Sequence, residues 1–157
     1  PPPPPPPRFS SRRRHTRCAI KSRGLGDVYK RQVVFSHGGV RALTDNDRAV
    51  TDDQIRAIAE NGGVIGIWPH GRHLSDVAEM VDYIEHVINV GGIDHVGIGS
   101  DLRGISRYVV GFDREARFHA IASELLAREY SAEEVGKVMG GNFFRVWQTV
   151  TRDTQTR

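Results

Sequence analysis

Residues 33–157 predict an α/β fold in which parallel strands are joined by crossover helices. Three observations predict it. Short apolar runs of strand length alternate with longer segments of helical periodicity, in the order β-α-β-α-β-α-α. Paired glycines close three of the helical segments. Two of the apolar runs lead directly into a chemically active side chain, His37 in one and Asp101 in the other. Strands that alternate with helices re-enter the sheet from the same end, which makes them parallel.

The elements follow in order. Val33–Ser36 is a short apolar strand. Thr51-Asp-Asp-Gln54 has the form of a capping box, with Thr51 able to accept an unpaired amide and Gln54 placed to reach back. The helix it opens turns Ile55, Ile58 and Ala59 inward and stops at Gly62-Gly63. Val64–Trp68 is the second strand, ended by Pro69, which has no amide to give the ladder. Ser75 is the predicted cap of a helix that aligns Val77, Met80, Val81, Ile84, Val87 and Ile88 and closes at Gly91-Gly92. His95–Gly99 is the third strand, followed by a helix over about 113–129 with Phe118, Ile121, Ala122 and Leu125 inward. Ser131-Ala-Glu-Glu134 is a second capping box, and its short helix ends at Gly140-Gly141. Asn142 is the predicted cap of a last helix that buries Phe143, Val146 and Trp147, with residues 151–157 left as a polar tail.

Residues 1–32 follow neither rhythm. Seven prolines in a row and the run Arg12-Arg13-Arg14 predict a disordered, basic leader. Its strings Ser-Ser-Arg-Arg-Arg-His-Thr-Arg-Cys and Ser-Arg-Gly-Leu-Gly-Asp-Val-Tyr-Lys-Arg resemble translated sequencing-adapter sequence, so the leader is read as foreign to the fold. It holds nine of the 22 Lys and Arg residues and one of the 19 acids, which leaves residues 33–157 at a net charge of −5. A mildly acidic domain offers no phosphate-binding surface, so nucleic acid is not a predicted partner. Cys18 is the only cysteine and lies in the leader, which excludes disulfides and thiolate metal sites from the domain. No apolar run approaches the roughly 18 residues of a membrane helix. The leader has no apolar signal core, but with the native N-terminus missing that says nothing about compartment, which stays open with the cytoplasm slightly favoured.

An open doubly wound sheet also fits the element order. Such sheets bind phosphate through a glycine-rich first turn, and Gly97-Ile-Gly99 offers a superficial match. Those glycines lie inside the strand, however, and Asp101 would repel a phosphate. A (β/α)8 barrel fits better, because residues leaving the C-terminal ends of its strands form the active face, where His37 and Asp101 would then sit. A complete barrel takes about 250 residues and eight units, so three βα units make a partial barrel.

The segments Val-Val-Phe-Ser-His37, Arg48-Ala-Val-Thr-Asp-Asp-Gln-Ile-Arg, Glu60-Asn-Gly-Gly-Val-Ile-Gly-Ile, Ile93-Asp-His-Val-Gly-Ile-Gly-Ser-Asp101 and Gly140-Gly-Asn-Phe-Phe-Arg-Val occur in order from about Val33 to Trp147. Together they resemble the membrane (renal) dipeptidase family of zinc metallopeptidases. The resemblance implies a two-zinc (β/α)8 hydrolase of dipeptides or related amides, of which this chain would be the C-terminal three units. It implies that His37 is a metal ligand, the second of two late histidines. It implies that Arg48 holds the substrate's C-terminal carboxylate, a role suited to a planar fork. Asp101 is implied to be catalytic, relaying a proton from the metal-bound water to the leaving amine. The family's H-x-D pair on the first strand has no counterpart in the 157 residues, and one ligand does not build a catalytic zinc site. Where family members often read G-x-D-F-D-G, this chain has Gly99-Ser-Asp101-Leu-Arg103-Gly104, a reversal of local charge that bears on substrate preference.

Other histidines read more plainly. His70 and His73 follow the second strand and default to ordinary loop residues, His86 and His119 to helix surfaces, and His95 to the stability face. Trp68 suits either a pocket wall or the core. A competing reading of the whole chain is a non-enzymatic α/β protein whose basic arm binds polyanions.

Overall fold

The computed structural model describes residues 32–112 and 117–155, so the leader over 1–31 lies outside the described residues. Three parallel strands, β1 (Val34–Gly38), β2 (Val64–Ile67) and β3 (Val96–Ile98), form a sheet in the order β1-β2-β3. Val34 pairs with Val64 and Ile65 with Val96, and the β1–β2 register shifts between Phe35 and Gly38. Every residue of the central strand β2 is buried, which explains why Val64-Ile-Gly-Ile67 shows no polar alternation. His37 falls within β1, one turn of the pleat beyond the predicted strand end.

Helix α1 (Asp52–Glu60) opens with the predicted capping box, in which the Thr51 hydroxyl accepts from the Gln54 amide and Gln54 returns the bond. Helix α2 (Val77–Gly91) starts one residue later than predicted. Asp76, not Ser75, is its cap, with Oδ1 accepting from the Glu79 amide at 2.9 Å. Ser75 is diverted because its amide and hydroxyl both donate to the Glu79 carboxylate. The third strand is shorter than His95–Gly99: His95 sits in a 3-10 turn, Ile93–His95, with Nδ1 bonded to the Gly63 carbonyl at 2.8 Å.

Helix α3 (Phe118–Ala127) occupies the middle of the predicted 113–129 span, whose residues 113–116 lie outside the described set. Helix α4 (Ala132–Gly136) carries the second capping box, between Ser131 and Glu134. It runs through a π turn, Lys137–Gly141, kinked at Gly140 with φ 153°, into helix α5 (Asn142–Gln155). Asn142 is therefore already helical and caps nothing. Its buried side chain donates instead to the Ile93 and Val96 carbonyls, at 2.7 Å each. That choice turns Asn142 and Val146 toward the sheet and leaves Trp147, one residue further round the helix, 59% exposed rather than in the core. Phe144 stacks on Trp147 at the same surface. Arg145 reaches back from α5 to the Gly62 carbonyl at 2.9 Å and the Asp94 carbonyl at 2.7 Å. Helix α5 extends to Gln155, so the segment read as a polar tail is helical at least that far.

The core lies between the sheet and its helices. Ile55, Ile65, Ile67, Met80, Ile84, Val96, Ile121 and Leu125 are completely buried in one cluster. Beyond β3 the chain crosses the loop that follows β2, with bridges His70–Tyr108 and Asp76–Val110. No helix among the described residues is long and apolar enough to cross a membrane.

Candidate active site

The C-terminal ends of the three strands draw together because two neighbours of β1 carry no Cβ. A Cβ on Gly66 would lie 2.3 Å from the Ser36 carbonyl oxygen, and one on Gly99 would lie 2.2 Å from the same atom. With glycine at both places, His37 leaves β1 within reach of Asp101, which follows β3. His37 Nε2 lies 3.7 Å from Asp101 Oδ2, and both side chains are partly open to solvent, at 31% and 26%. On its other edge His37 Nδ1 meets the Ser36 hydroxyl at 3.0 Å. Asp101 takes a left-handed backbone conformation, φ 44°, which Asp tolerates better than most side chains. The structure thus brings together the two strand-exit residues that the sequence singles out.

Arg48 lies on the exposed loop between β1 and α1. Its acidic neighbours are engaged elsewhere, since Arg41 pairs with Asp45 at 3.2 Å and with Asp47 at 3.1 Å. Among the described residues no carboxylate lies within ion-pair distance of Arg48. Its guanidinium carbon instead stands 5.2 Å from the centre of the Trp68 ring. Around the same indole lie His70 at 4.7 Å, His73 at 5.8 Å and His37 at 6.0 Å between ring centres. Trp68 itself is 3% exposed.

His70 and His73 are thus the residues that sequence reasoning undervalued. Their signal was the run Trp68-Pro-His-Gly-Arg-His73 directly behind a strand exit. The pKa of His70 is held below the ordinary imidazole value, first by burial and then by the positive surroundings of His73, Arg72 and Arg48. Arg48 and Arg72 make this side of the site electropositive, whereas Asp101 supplies the acid on the β3 side. Among the described residues no three His, Cys, Asp or Glu side chains are grouped to hold a metal. His37 and Asp101 form a pair, open on one side.

Parallel βα units bring a histidine and an aspartate together at converging strand exits on an α/β scaffold. Comparison with known proteins supplies the class. The family model of membrane dipeptidase, peptidase family M19, matches residues 25–157, and the chain belongs to that family. The match begins inside the segment read as a leader. Dipeptidase aclJ of Aspergillus oryzae is 33% identical over 139 residues, which are 84% of this chain and 33% of that protein. Human Dipeptidase 3 is 30% identical over 131 residues, 80% of this chain and 27% of that one. The chain spans about a third of the length of the curated relatives it matches.

Solved structures agree on the fold. The probable dipeptidase PvdM from Pseudomonas aeruginosa superposes with a TM-score of 0.73 at 22% identity, over 80% of this chain and 46% of its own. A metallo peptidase from Rhodobacter sphaeroides, liganded with a phosphinate mimic of the dipeptide L-Ala-D-Ala, gives 0.70 at 24% identity, over 75% and 36%.

Proposed function

We propose that the chain forms the C-terminal three βα units of a zinc-dependent dipeptidase barrel that hydrolyses dipeptides or related amides. The observation that carries this reading is the approach of His37 and Asp101 at 3.7 Å from the exits of β1 and β3, on either side of β2, in a chain of the dipeptidase family. The dipeptide mimic bound by the Rhodobacter sphaeroides relative supports the substrate class.

His37 fits a zinc ligand, because its side chain is partly open to solvent, its Nε2 is in no hydrogen bond with Asp101 at 3.7 Å and its Nδ1 is steadied by Ser36. The described residues by themselves do not fit a complete site, which takes about three protein ligands per metal. His37, together with ligands from beyond these residues, would hold the zinc, and a zinc there would supply a water acidified enough to act at neutral pH. The chain's own residues do the rest. Asp101, an acceptor at the rim of the pair, takes a proton and returns it to the amine that departs. Arg48 offers a free fork to the substrate's terminal carboxylate, a charge-assisted and bidentate contact.

The test joins residues 33–157 to the upstream βα units of a close family member. The hybrid should hydrolyse dipeptides, and Asp101→Asn should abolish turnover while the fold persists. Arg48→Ala should raise KM for dipeptides without changing metal content, and matter far less for dipeptide amides, which lack the carboxylate. Equal losses on both substrate types would remove Arg48 from carboxylate binding.

A further inference from the structure

The contacts around Trp68 close into a ring of which the proposed chemistry uses Arg48 alone. Arg48 lies over the indole at 5.2 Å. The His73 ring is nearly parallel to the same indole, inclined by 7°. His73 Nε2 accepts from the Asn46 side-chain amide at 3.2 Å, and Asn46 Oδ1 accepts from the Arg48 main-chain amide at 2.9 Å. The circuit Arg48–Trp68–His73–Asn46–Arg48 thus joins the loop after β1 to the loop after β2. His70 packs against both rings, 4.7 Å from Trp68 and 5.1 Å from His73.

Arg48 is therefore held twice, at its backbone and at the face of its charged head. Among the described residues no carboxylate pairs with its N–H donors. A long exposed arginine gives up rotamer entropy when it grips a ligand. An arginine already laid on an aromatic face has surrendered part of that freedom before binding, which is how preorganisation raises affinity. Asn46 can serve both bonds in only one orientation of its amide. That orientation requires an unprotonated Nε2 on His73, so the histidine sets the side chain that sets the arginine.

We propose that Asn46, Trp68 and His73 are positioning residues that hold Arg48 ready for a substrate carboxylate. The inference rests on the reading of Arg48 as the carboxylate receptor, and two separate readouts keep the two claims apart. Both use the whole chain. The first is the NMR signal of the Arg48 side-chain Nε–H, which the indole ring current displaces. Asn46→Ala and His73→Ala leave the indole in place, so a cradle predicts that each moves this signal toward its free-arginine position, and that His73→Gln, which keeps an acceptor for Asn46, restores it.

The second readout is the affinity for N-acetylglycine, a small carboxylate probe, with N-acetylglycine amide as its uncharged partner. The two alanine variants should weaken the carboxylate by about fivefold, the scale of an exposed cation–π contact, and leave the amide unchanged. Trp68→Phe, which keeps an aromatic face, should fall between wild type and His73→Ala. An unmoved Arg48 signal in both alanine variants would overturn the cradle. Displacement of that signal, with N-acetylglycine affinity unaffected even by Arg48→Ala, would support the cradle and overturn the carboxylate role.

Discussion

Gly99 decides whether His37 and Asp101 meet. A Cβ there would sit 2.2 Å from the Ser36 carbonyl oxygen and 2.9 Å from the His37 Cβ. The first of those atoms is backbone, so no rotamer change relieves the clash and the strands must part. Gly99→Ala should therefore cost about 2–3 kcal/mol in urea denaturation, at the upper end for overpacking. A loss below about 1 kcal/mol would mean that β1 and β3 have slack between them. His70 gives a second test at this scale. Its folded pKa lies below the ordinary 6.5, so the unfolded chain binds the proton more readily. This residue's contribution to stability is complete above 6.5 and is lost as pH falls from there through the folded value. An NMR titration of the His70 ring should show half-protonation below 6.5, and a midpoint at or above it would contradict the electropositive setting. The sequence made His37 and Asp101 visible because each follows an apolar run. The ring around Trp68 was not visible, since Asn46 and His73 lie 27 residues apart on different loops.

Local signals read true at the helix starts that depend on one turn alone. Thr51 with Gln54, and Ser131 with Glu134, cap α1 and α4 as their spacing predicts. Ser75 failed because two capping side chains are adjacent and Glu79 captures the first. Asn142 failed for a different reason. Its partners, Ile93 and Val96, lie 49 and 46 residues away, and no reading of residues 131–147 contains them. Trp147 followed the same error outward. The energetic claim can be measured. Asn142→Ala leaves two carbonyls without this donor, one bond being fully buried, and should cost about 2–4 kcal/mol. Asn142→Asp should be no milder, because a carboxylate cannot donate to either carbonyl. If denaturation midpoints of both variants match wild type, water replaces the amide and the link between α5 and the sheet is dispensable.

At the scale of the molecule, the alternation of strands and helices predicted the parallel sheet because crossover connections allow little else. The composition of the site was only partly legible, since the sequence marks His37 and Asp101, which the structure brings to 3.7 Å, and among the described residues no three His, Cys, Asp or Glu side chains are grouped to hold a metal. The chain alone, with excess zinc, is expected to show no dipeptide turnover and to retain fewer than two zinc ions after dialysis. Turnover at ordinary enzyme rates, of about 1–1,000 per second, would refute the partial-site reading.

The bonds from α5 to the sheet also impose an order in time. Among the described residues, the Gly62, Ile93, Asp94 and Val96 carbonyls receive side-chain donors from Asn142 and Arg145. A ribosome adds about 5–20 residues per second, so several seconds separate the appearance of β3 from that of its donors. During that interval water must stand in for both side chains at the N-terminal ends of β2 and β3. The nascent sheet is thus hydrated where the finished one is braced, and a ribosome paused before residue 142 would hold it in that unbraced form.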